Sequence, residues 1–161
     1  MDFDHRDPVS KSFHVMTGRA MLMSHERLMA EVRKCDIVCA NCHRVRAWVA
    51  HRERLESPLA STANSKYIDG MRSRWRAHGR ILDRLRDVPC ADCQGRFPPC
   101  AMDFDHQDPR TKNQGVTRMV GRAGISRILA EAAKCDIVCA NCHRLRTYLR
   151  RERRSATAER E

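Results

Sequence analysis

The sequence predicts an α+β fold made of two small modules, because two long segments occur twice along its 161 residues. The octet MDFDHRDP at residue 1 returns as MDFDHQDP at residue 102, and KCDIVCANCHR occupies both 34–44 and 134–144. Between these blocks the second copy is one residue shorter than the first. Self-similarity at a fixed spacing indicates a duplicated structural unit, so we expect a tandem repeat.

Each copy contains a strand pattern followed by a helix pattern. MDFDH alternates apolar or histidine side chains with acidic ones, as a strand does, and Asp108 and Pro109 end it. The helix is indicated in the second copy by Ile125, Ile128, Leu129 and Ala132, and in the first copy by Leu28, Met29 and Val32. Ser126 is the candidate N-cap. CANCHR then leads from a cysteine turn into a basic final helix.

The modules are separated by a segment rich in Ser and Ala, which also contains Pro58 and Gly70. Such a composition is typical of a connector, and a helical stretch follows it. The predicted division is a truncated first module at 1–50, a linker at 51–70, a complete second module at 71–154 with a leading basic helix, and a polar tail at 155–161 that should fray.

Charge points to a polyanionic partner, since 31 Lys and Arg outnumber 20 Asp and Glu, giving a formal charge of +11. An arginine-rich helix face is often only a solvated surface, but two such helices flanking a cysteine motif favour phosphate contact. We therefore expect a nucleic acid as the partner. The candidate contacts are Arg72, Arg76, Arg80 and Arg84 on the leading helix, and Arg144, Arg146, Arg150 and Arg151 on the final helix.

The nine cysteines are expected to bind metal rather than form disulfides. A module of fewer than about 80 residues needs disulfides or a bound metal ion, in addition to its apolar core, to stay folded. No apolar signal segment follows Met1, no run reaches the length of a membrane span, and the cysteine count is odd. We expect a cytoplasmic protein with no membrane partner, and homo-oligomerisation is left open.

Two CxxC pairs can supply a four-thiolate zinc site, because each tight turn presents two thiolates to one ion. The ligands would be Cys90, Cys93, Cys139 and Cys142. The first copy has only Cys39 and Cys42, half of such a site, and Cys90 and Cys93 could close on either half. The remaining thiols, Cys35, Cys100 and Cys135, are expected to be small buried residues.

An acid and two histidines form a second candidate site. Asp105 and His106 end the strand pattern, and His143 follows the last cysteine of the zinc motif. A fixed cysteine turn would bring His143 close to the strand end, where Asp105 and His143 offer oxygen and nitrogen ligands to a catalytic divalent ion. His106, on the opposite strand face from Asp105, is expected to be free to accept a proton from water.

The order CxxC, DFDH and CANCHR resembles the HNH endonucleases, in the zinc-knuckle form found in bacteriophages and mobile elements. The resemblance covers 89–147 fully and 1–46 partially. It implies a ββα-metal fold, His106 as the general base, and Asp105 and His143 as ligands of Mg²⁺ or another divalent ion. It also implies a loop-orienting or metal-adjacent role for Asn141 and a phosphate contact for Arg144, which a helix-surface role would explain almost as well.

The first copy repeats the site residues in the same order, as Asp4, His5, Asn41 and His43. Because it lacks the upstream CxxC, we expect a degenerate or assisting module; a start assigned too late or thiolates from a partner chain are the alternatives.

The predicted function is metal-dependent hydrolysis of DNA to 5′-phosphate and 3′-hydroxyl ends. A non-catalytic zinc-ribbon DNA-binding protein, acting as a regulator or packaging accessory, is the main alternative. RNA binding or cleavage also stays open.

Overall fold

The computed structural model describes residues 1–17, 20–56 and 66–158. Within these ranges the fold is α+β, with six α-helices and two separate two-stranded antiparallel sheets. We refer to 1–56 as the first half and to 66–158 as the second half. None of the described helices has an apolar stretch long enough to cross a membrane.

The first half consists of one sheet and two helices. Its elements are β1 (Asp2–His5), α1 (His25–Val32), β2 (Cys35–Val38) and α2 (Ala40–Glu56). The two strands pair so that Asp2 lies opposite Val38 and His5 lies opposite Cys35. Since α2 begins two residues after β2 ends, the CxxC turn lies at the junction of the strand and the helix.

The second half begins with a long helix, and its remaining elements follow a similar order with one additional short helix. In order, the elements are α3 (Lys66–Arg86), β3 (Met102–His106), α4 (Val116–Met119), α5 (Ile125–Ala132), β4 (Cys135–Cys139) and α6 (Ala140–Ala158). Asp103 lies opposite Val138 and His106 opposite Cys135, which is the register of the first sheet. The strand and helix predicted from the alternating and helical patterns of this half are confirmed.

The N-cap prediction for Ser126 is wrong. Helix α5 begins at Ile125 and is preceded by Gly124 in extended conformation, with no side-chain cap. Ile125, the first residue of this helix, packs against the core. In the first half the cap is a serine: the Ser24 side chain accepts a hydrogen bond from the backbone N–H of Arg27.

Helix α3 packs on the core of the second half through Leu82. Leu82 is 1% exposed and packs with a buried cluster of Val116, Met119, Val120, Ile128 and Ala132. At the other end of the contact, the indole of Trp75 lies against Gly121, whose backbone has φ +73°. The backbone N–H of Gly121 also donates to Nδ1 of His78 at 3.3 Å. Helix α3 therefore belongs to the second half.

Helices extend into the predicted linker and into the predicted tail. Helix α2 continues to Glu56 and α3 begins at Lys66, and the linker residues between them, 57–65, lie outside the described ranges. Helix α6 continues to Ala158, past the predicted boundary at Arg154. The Ser155 hydroxyl donates to the Arg151 carbonyl one turn earlier, at 3.3 Å. The last three residues of the predicted tail, 159–161, are also outside the described ranges.

Candidate metal centre and acid–histidine clusters

Four cysteines of the second half form a cluster that could hold a metal ion, as predicted. The ligand atoms of Cys90, Cys93, Cys139 and Cys142 all lie within 4.8 Å of one another. Cys90 and Cys93 belong to a tight turn in which Gln94 adopts a left-handed φ of 59° and its N–H donates to the Cys90 carbonyl. Four thiolates in this arrangement suit zinc.

Hydrogen bonds lower the pKa of one of these four thiols. Burial alone would raise the pKa of Cys90, but N–H donors, including that of Cys139 at 3.2 Å from the sulfur, lower it to about 7. Burial and the neighbouring thiols raise the pKa of Cys142. A bound cation would stabilise both as thiolates, because deprotonation and metal binding are coupled.

The cysteine pair of the first half has no partners for a complete site. Among the described residues the only cluster of three or more potential ligands is the one containing Cys139 and Cys142, so Cys90 and Cys93 close on the second half and not on Cys39 and Cys42. Of the remaining thiols only Cys35 is buried; Cys100 and Cys135 are half-buried, so their prediction as buried residues is wrong in degree.

His143 and Asp105 lie close together, as the sequence predicts, and a second carboxylate anchors the histidine. Nδ1 of His143 lies 2.8 Å from Oδ2 of Asp103, and its Nε2 lies 3.6 Å from Oδ1 of Asp105. A carboxylate can only accept, so in the neutral ring Nδ1 carries the proton and Nε2 keeps its lone pair on the side of Asp105. This is the arrangement that orients metal-binding histidines.

Asp103 remains a carboxylate although it is largely buried. Burial would raise its pKa, but hydrogen bonds from His143 and from Arg44 of the first half hold the pKa at about 2. Sequence reasoning did not select Asp103. Its recurrence as Asp2 in the opening octet is a signal that could have identified it.

Asp105 is already engaged by arginines. Its carboxylate is 4% exposed and accepts from Arg146 at 3.0 Å and from Arg150 at 2.7 and 2.9 Å. Arg146 also bonds Asp92 and Asp136. These two arginines, predicted as nucleic-acid contacts, are thus bound to protein carboxylates, and a cation at Asp105 would have to displace part of this network.

His106 is bound through one ring nitrogen to a buried carboxylate. It is 5% exposed, and its Nε2 lies 2.8 Å from Oε1 of Glu131, which is 2% exposed. The carboxylate also accepts from Lys134 at 2.7 Å and from the backbone N–H of Asn113 at 2.8 Å. These bonds, that of Lys134 above all, hold the pKa of Glu131 at about 2 despite burial. Nδ1 of the neutral ring is therefore the nitrogen able to accept a proton.

The three predicted catalytic residues line one pocket. It has a volume of about 200 Å³, and the cationic side chains Lys112 and Arg150 also line it. Asp105, His106 and His143 thus share a cavity with positive charge at its wall.

The first half repeats this arrangement around a larger pocket of about 560 Å³. Nδ1 of His43 lies 3.2 Å from Asp2 and its Nε2 lies 3.6 Å from Asp4. His5 lies 2.8 Å from Glu31. Two lining positions differ between the pockets: Ala50 occupies the position of Arg150, and His14 occupies that of Gly115. Degeneracy of the first half stays a prediction: its anchoring contact from His43 to Asp2 is longer than the 2.8 Å contact from His143 to Asp103, whereas the other two distances are the same.

Asn141 and Asn41 lie between the halves and not at the acid–histidine clusters. Oδ1 of Asn141 accepts from the backbone N–H of Ala40 at 2.9 Å, and Oδ1 of Asn41 accepts from the N–H of Asn141 at 3.1 Å. The placement gives them an interface role in the described fold.

The remaining six predicted DNA contacts are all exposed. Arg144 forms an ion pair with Asp2 across the halves at 2.8 Å. The other five are Arg72, Arg76, Arg80, Arg84 and Arg151.

Comparison with known proteins identifies no relative. No family model, no curated protein and no solved structure matches the chain.

Proposed function

We propose that the protein is a metal-dependent DNA endonuclease built from two ββα-metal modules of the HNH type, as the sequence resemblance implies. The observation that carries the proposal is the position of His143, whose Nδ1 is anchored on Asp103 while Nε2 faces Asp105. A histidine held in this tautomer next to a carboxylate is typical of a metal ligand. The same contacts around His43 support it a second time.

The donor set fits a divalent ion of the Mg²⁺, Mn²⁺ or Ni²⁺ class. Asp105 and His143 would supply one oxygen and one nitrogen, and they leave positions for water and a phosphate oxygen. Such an ion neutralises charge that develops on the phosphate during displacement. Arg150, released from Asp105 when the site is loaded, lies on the pocket wall where it can contact a phosphate.

His106 would act as the general base at Nδ1. Glu131 accepts the proton of Nε2, so the ring is held in one orientation and its other nitrogen takes a proton from water. The buried carboxylate also stabilises the imidazolium that results. Water attacks the phosphorus, the bond to the 3′ oxygen breaks, and the ends are 5′-phosphate and 3′-hydroxyl.

The four-cysteine cluster would hold a structural Zn²⁺. It fixes Cys139 and Cys142 at the junction of β4 and α6, and His143 is the next residue. The ion would thereby position a site ligand without taking part in hydrolysis.

Affinity for DNA would come mainly from the exposed arginines of α3. Phosphate contacts of this kind give sequence-independent binding that weakens as salt rises. A zinc-ribbon protein that only binds DNA would use the same arginines. It would not require the buried His106–Glu131 pair or a carboxylate behind His143.

Cleavage of plasmid DNA and of structured RNA by protein that retains its zinc but is freed of other divalent ions, supplemented in turn with Mg²⁺, Mn²⁺ and Ni²⁺, tests the proposal. We expect nicked or linear DNA that a ligase reseals without added kinase, since the ends carry a 5′-phosphate. Binding that falls with salt and no cleavage with any ion would favour the zinc-ribbon alternative, and cleavage of RNA alone would replace DNA as the substrate.

A further inference from the structure

The two halves exchange reciprocal contacts through matching residues. Arg44 of α2 donates to Oδ1 of Asp103 in β3 at 2.6 Å. Arg144 of α6 donates to both oxygens of Asp2 in β1, at 2.8 and 3.0 Å. Beside them, Oδ1 of Asn141 accepts from the backbone N–H of Ala40, and Oδ1 of Asn41 accepts from the backbone N–H of Asn141. Because equivalent residues contact each other in both directions, the halves pair as a self-complementary dimer would.

Each of these arginines bonds the carboxylate that anchors the histidine of the opposite half. Asp103 receives Arg44 on Oδ1 and His143 on Oδ2. Asp2 receives Arg144 on both oxygens and His43 on Oδ2. The chain of contacts therefore runs from an arginine of one half, through a carboxylate, to a histidine of the other half.

We propose that Arg44 and Arg144 are positioning residues that act in trans, each fixing the candidate ligand histidine of the opposite half. The inference rests on the proposed function in taking His43 and His143 as metal ligands. The inference goes beyond the proposed function because each metal site would be incomplete without an arginine from the other half.

The physical basis is the orientation of the shared carboxylate. The Asp103 side chain is 19% exposed, so a charge-assisted hydrogen bond from Arg44 both offsets its burial and fixes the oxygen that faces His143. Without Arg44 the carboxylate can rotate or recruit water, and the Nδ1–H tautomer of the histidine loses its preference. Loss of a partner behind a metal ligand typically costs about 10- to 100-fold in metal affinity.

The two arginines differ in a way that a conservative replacement would detect. Arg44 uses one nitrogen on one oxygen, whereas Arg144 uses two nitrogens on two oxygens. A lysine can reproduce a single contact but not the two-point contact. Arg44→Lys should therefore keep most of the histidine positioning that Arg44→Ala loses. Arg144→Lys should keep little of the positioning that Arg144→Ala loses.

The test uses the full chain with ¹⁵N-labelled histidine, with zinc retained, and no nucleic acid. Long-range ¹H–¹⁵N spectra report the tautomers of His43 and His143, and Mn²⁺ titration reports the affinity of each cluster. We expect Arg44→Ala to alter the His143 signals and weaken Mn²⁺ binding there about 10- to 100-fold, with His43 unchanged. Arg144→Ala should do the reverse, and Arg110→Ala, which changes an exposed arginine paired only locally with Asp108, should do neither.

Equal changes at both histidines, or none at either, would overturn the inference. If an alanine variant fails to fold, Arg144→Lys, which keeps the charge but not the two-point contact, should alter the signals of His43 and leave those of His143 unchanged. Because no step requires cleavage, a protein that cuts no DNA but shows the crossed effect would contradict the proposed function alone. A protein that cuts DNA and shows no crossed effect would contradict this inference alone.

Discussion

Nε2 of His106 lies 2.8 Å from Oε1 of Glu131, and the histidine is 5% and the glutamate 2% exposed. The carboxylate is compensated by Lys134 and by backbone N–H groups, so the pair avoids the cost of an uncompensated buried charge. His5 and Glu31 repeat the contact at the same distance. The histidine–glutamate pair should affect the unfolding free energy at acid pH and the rate of DNA cleavage. The two effects can be measured separately.

Glu131→Gln should remove a stability contribution that depends on pH. The pKa of Glu131 is lowered from 4.5 to about 2 in the folded chain, so its contribution is present above about pH 4.5 and is lost as the pH falls toward 2. The difference in unfolding free energy between parent and variant should therefore be largest near neutral pH and should vanish near pH 2.

The matched control is Glu152→Gln, which changes an exposed glutamate of α6. It should leave the pH dependence of unfolding unchanged. Denaturant titrations at several pH values measure both differences, and a constant difference for Glu131→Gln across this range would contradict the assignment.

His106→Ala should lower DNA cleavage on the order of a hundredfold, a usual loss for a general base, while DNA binding persists. His5→Ala is the matched variant in the first half. Since only the second half closes a four-cysteine cluster, a smaller loss is expected for His5→Ala.

Plasmid cleavage and a binding titration on the same preparations separate chemistry from affinity, and melting curves verify folding. Equal losses for the two variants would mean that both halves cut and would end the prediction of a degenerate first half. Undiminished cleavage by His106→Ala would remove its role as base.

Cys139→Ser should release one equivalent of zinc and unfold the second half, because a module this small buries too little apolar surface without its metal. Cys93→Ser should do the same. Cys39→Ser, at the equivalent position of the first half, should leave the zinc content unchanged.

Metal analysis and thermal melting measure the two effects. Full zinc with an unchanged melting curve in Cys139→Ser would refute the structural site. Zinc loss in Cys39→Ser would instead indicate that a second chain completes the half-site.

Gly121→Ala should destabilise the contact between α3 and the rest of the second half. A Cβ there would lie 2.0 Å from Nε1 of Trp75, and the left-handed φ of +73° adds strain. We expect a loss of about 2 kcal/mol or more in unfolding free energy, as for other overpacked sites.

Gly79→Ala, within α3 and with nothing within 4 Å of its Cβ, is the control. It should raise stability by about 0.5–1 kcal/mol, because alanine is the better helix former. Denaturant unfolding compares the two, and a neutral Gly121→Ala would place Trp75 elsewhere.

The local elements of this protein follow from its sequence. The strand Met102–His106, the helix Ile125–Ala132 and the two CxxC turns that supply the four-cysteine cluster are all predicted from it. Alternation, helical spacing and the CxxC turn act over a few residues, so neighbouring letters contain the information that defines them.

Only the tertiary structure decides which distant side chains meet. His106 and Glu131 are 25 positions apart, and Arg44 and Asp103 are 59 apart, in different halves. The same is true of Asn141, whose side chain bonds the first half and not the cluster predicted for it. Such partners are selected by how helices and sheets pack after they form, because a side-chain hydrogen bond requires a separation near 3 Å that no local pattern specifies.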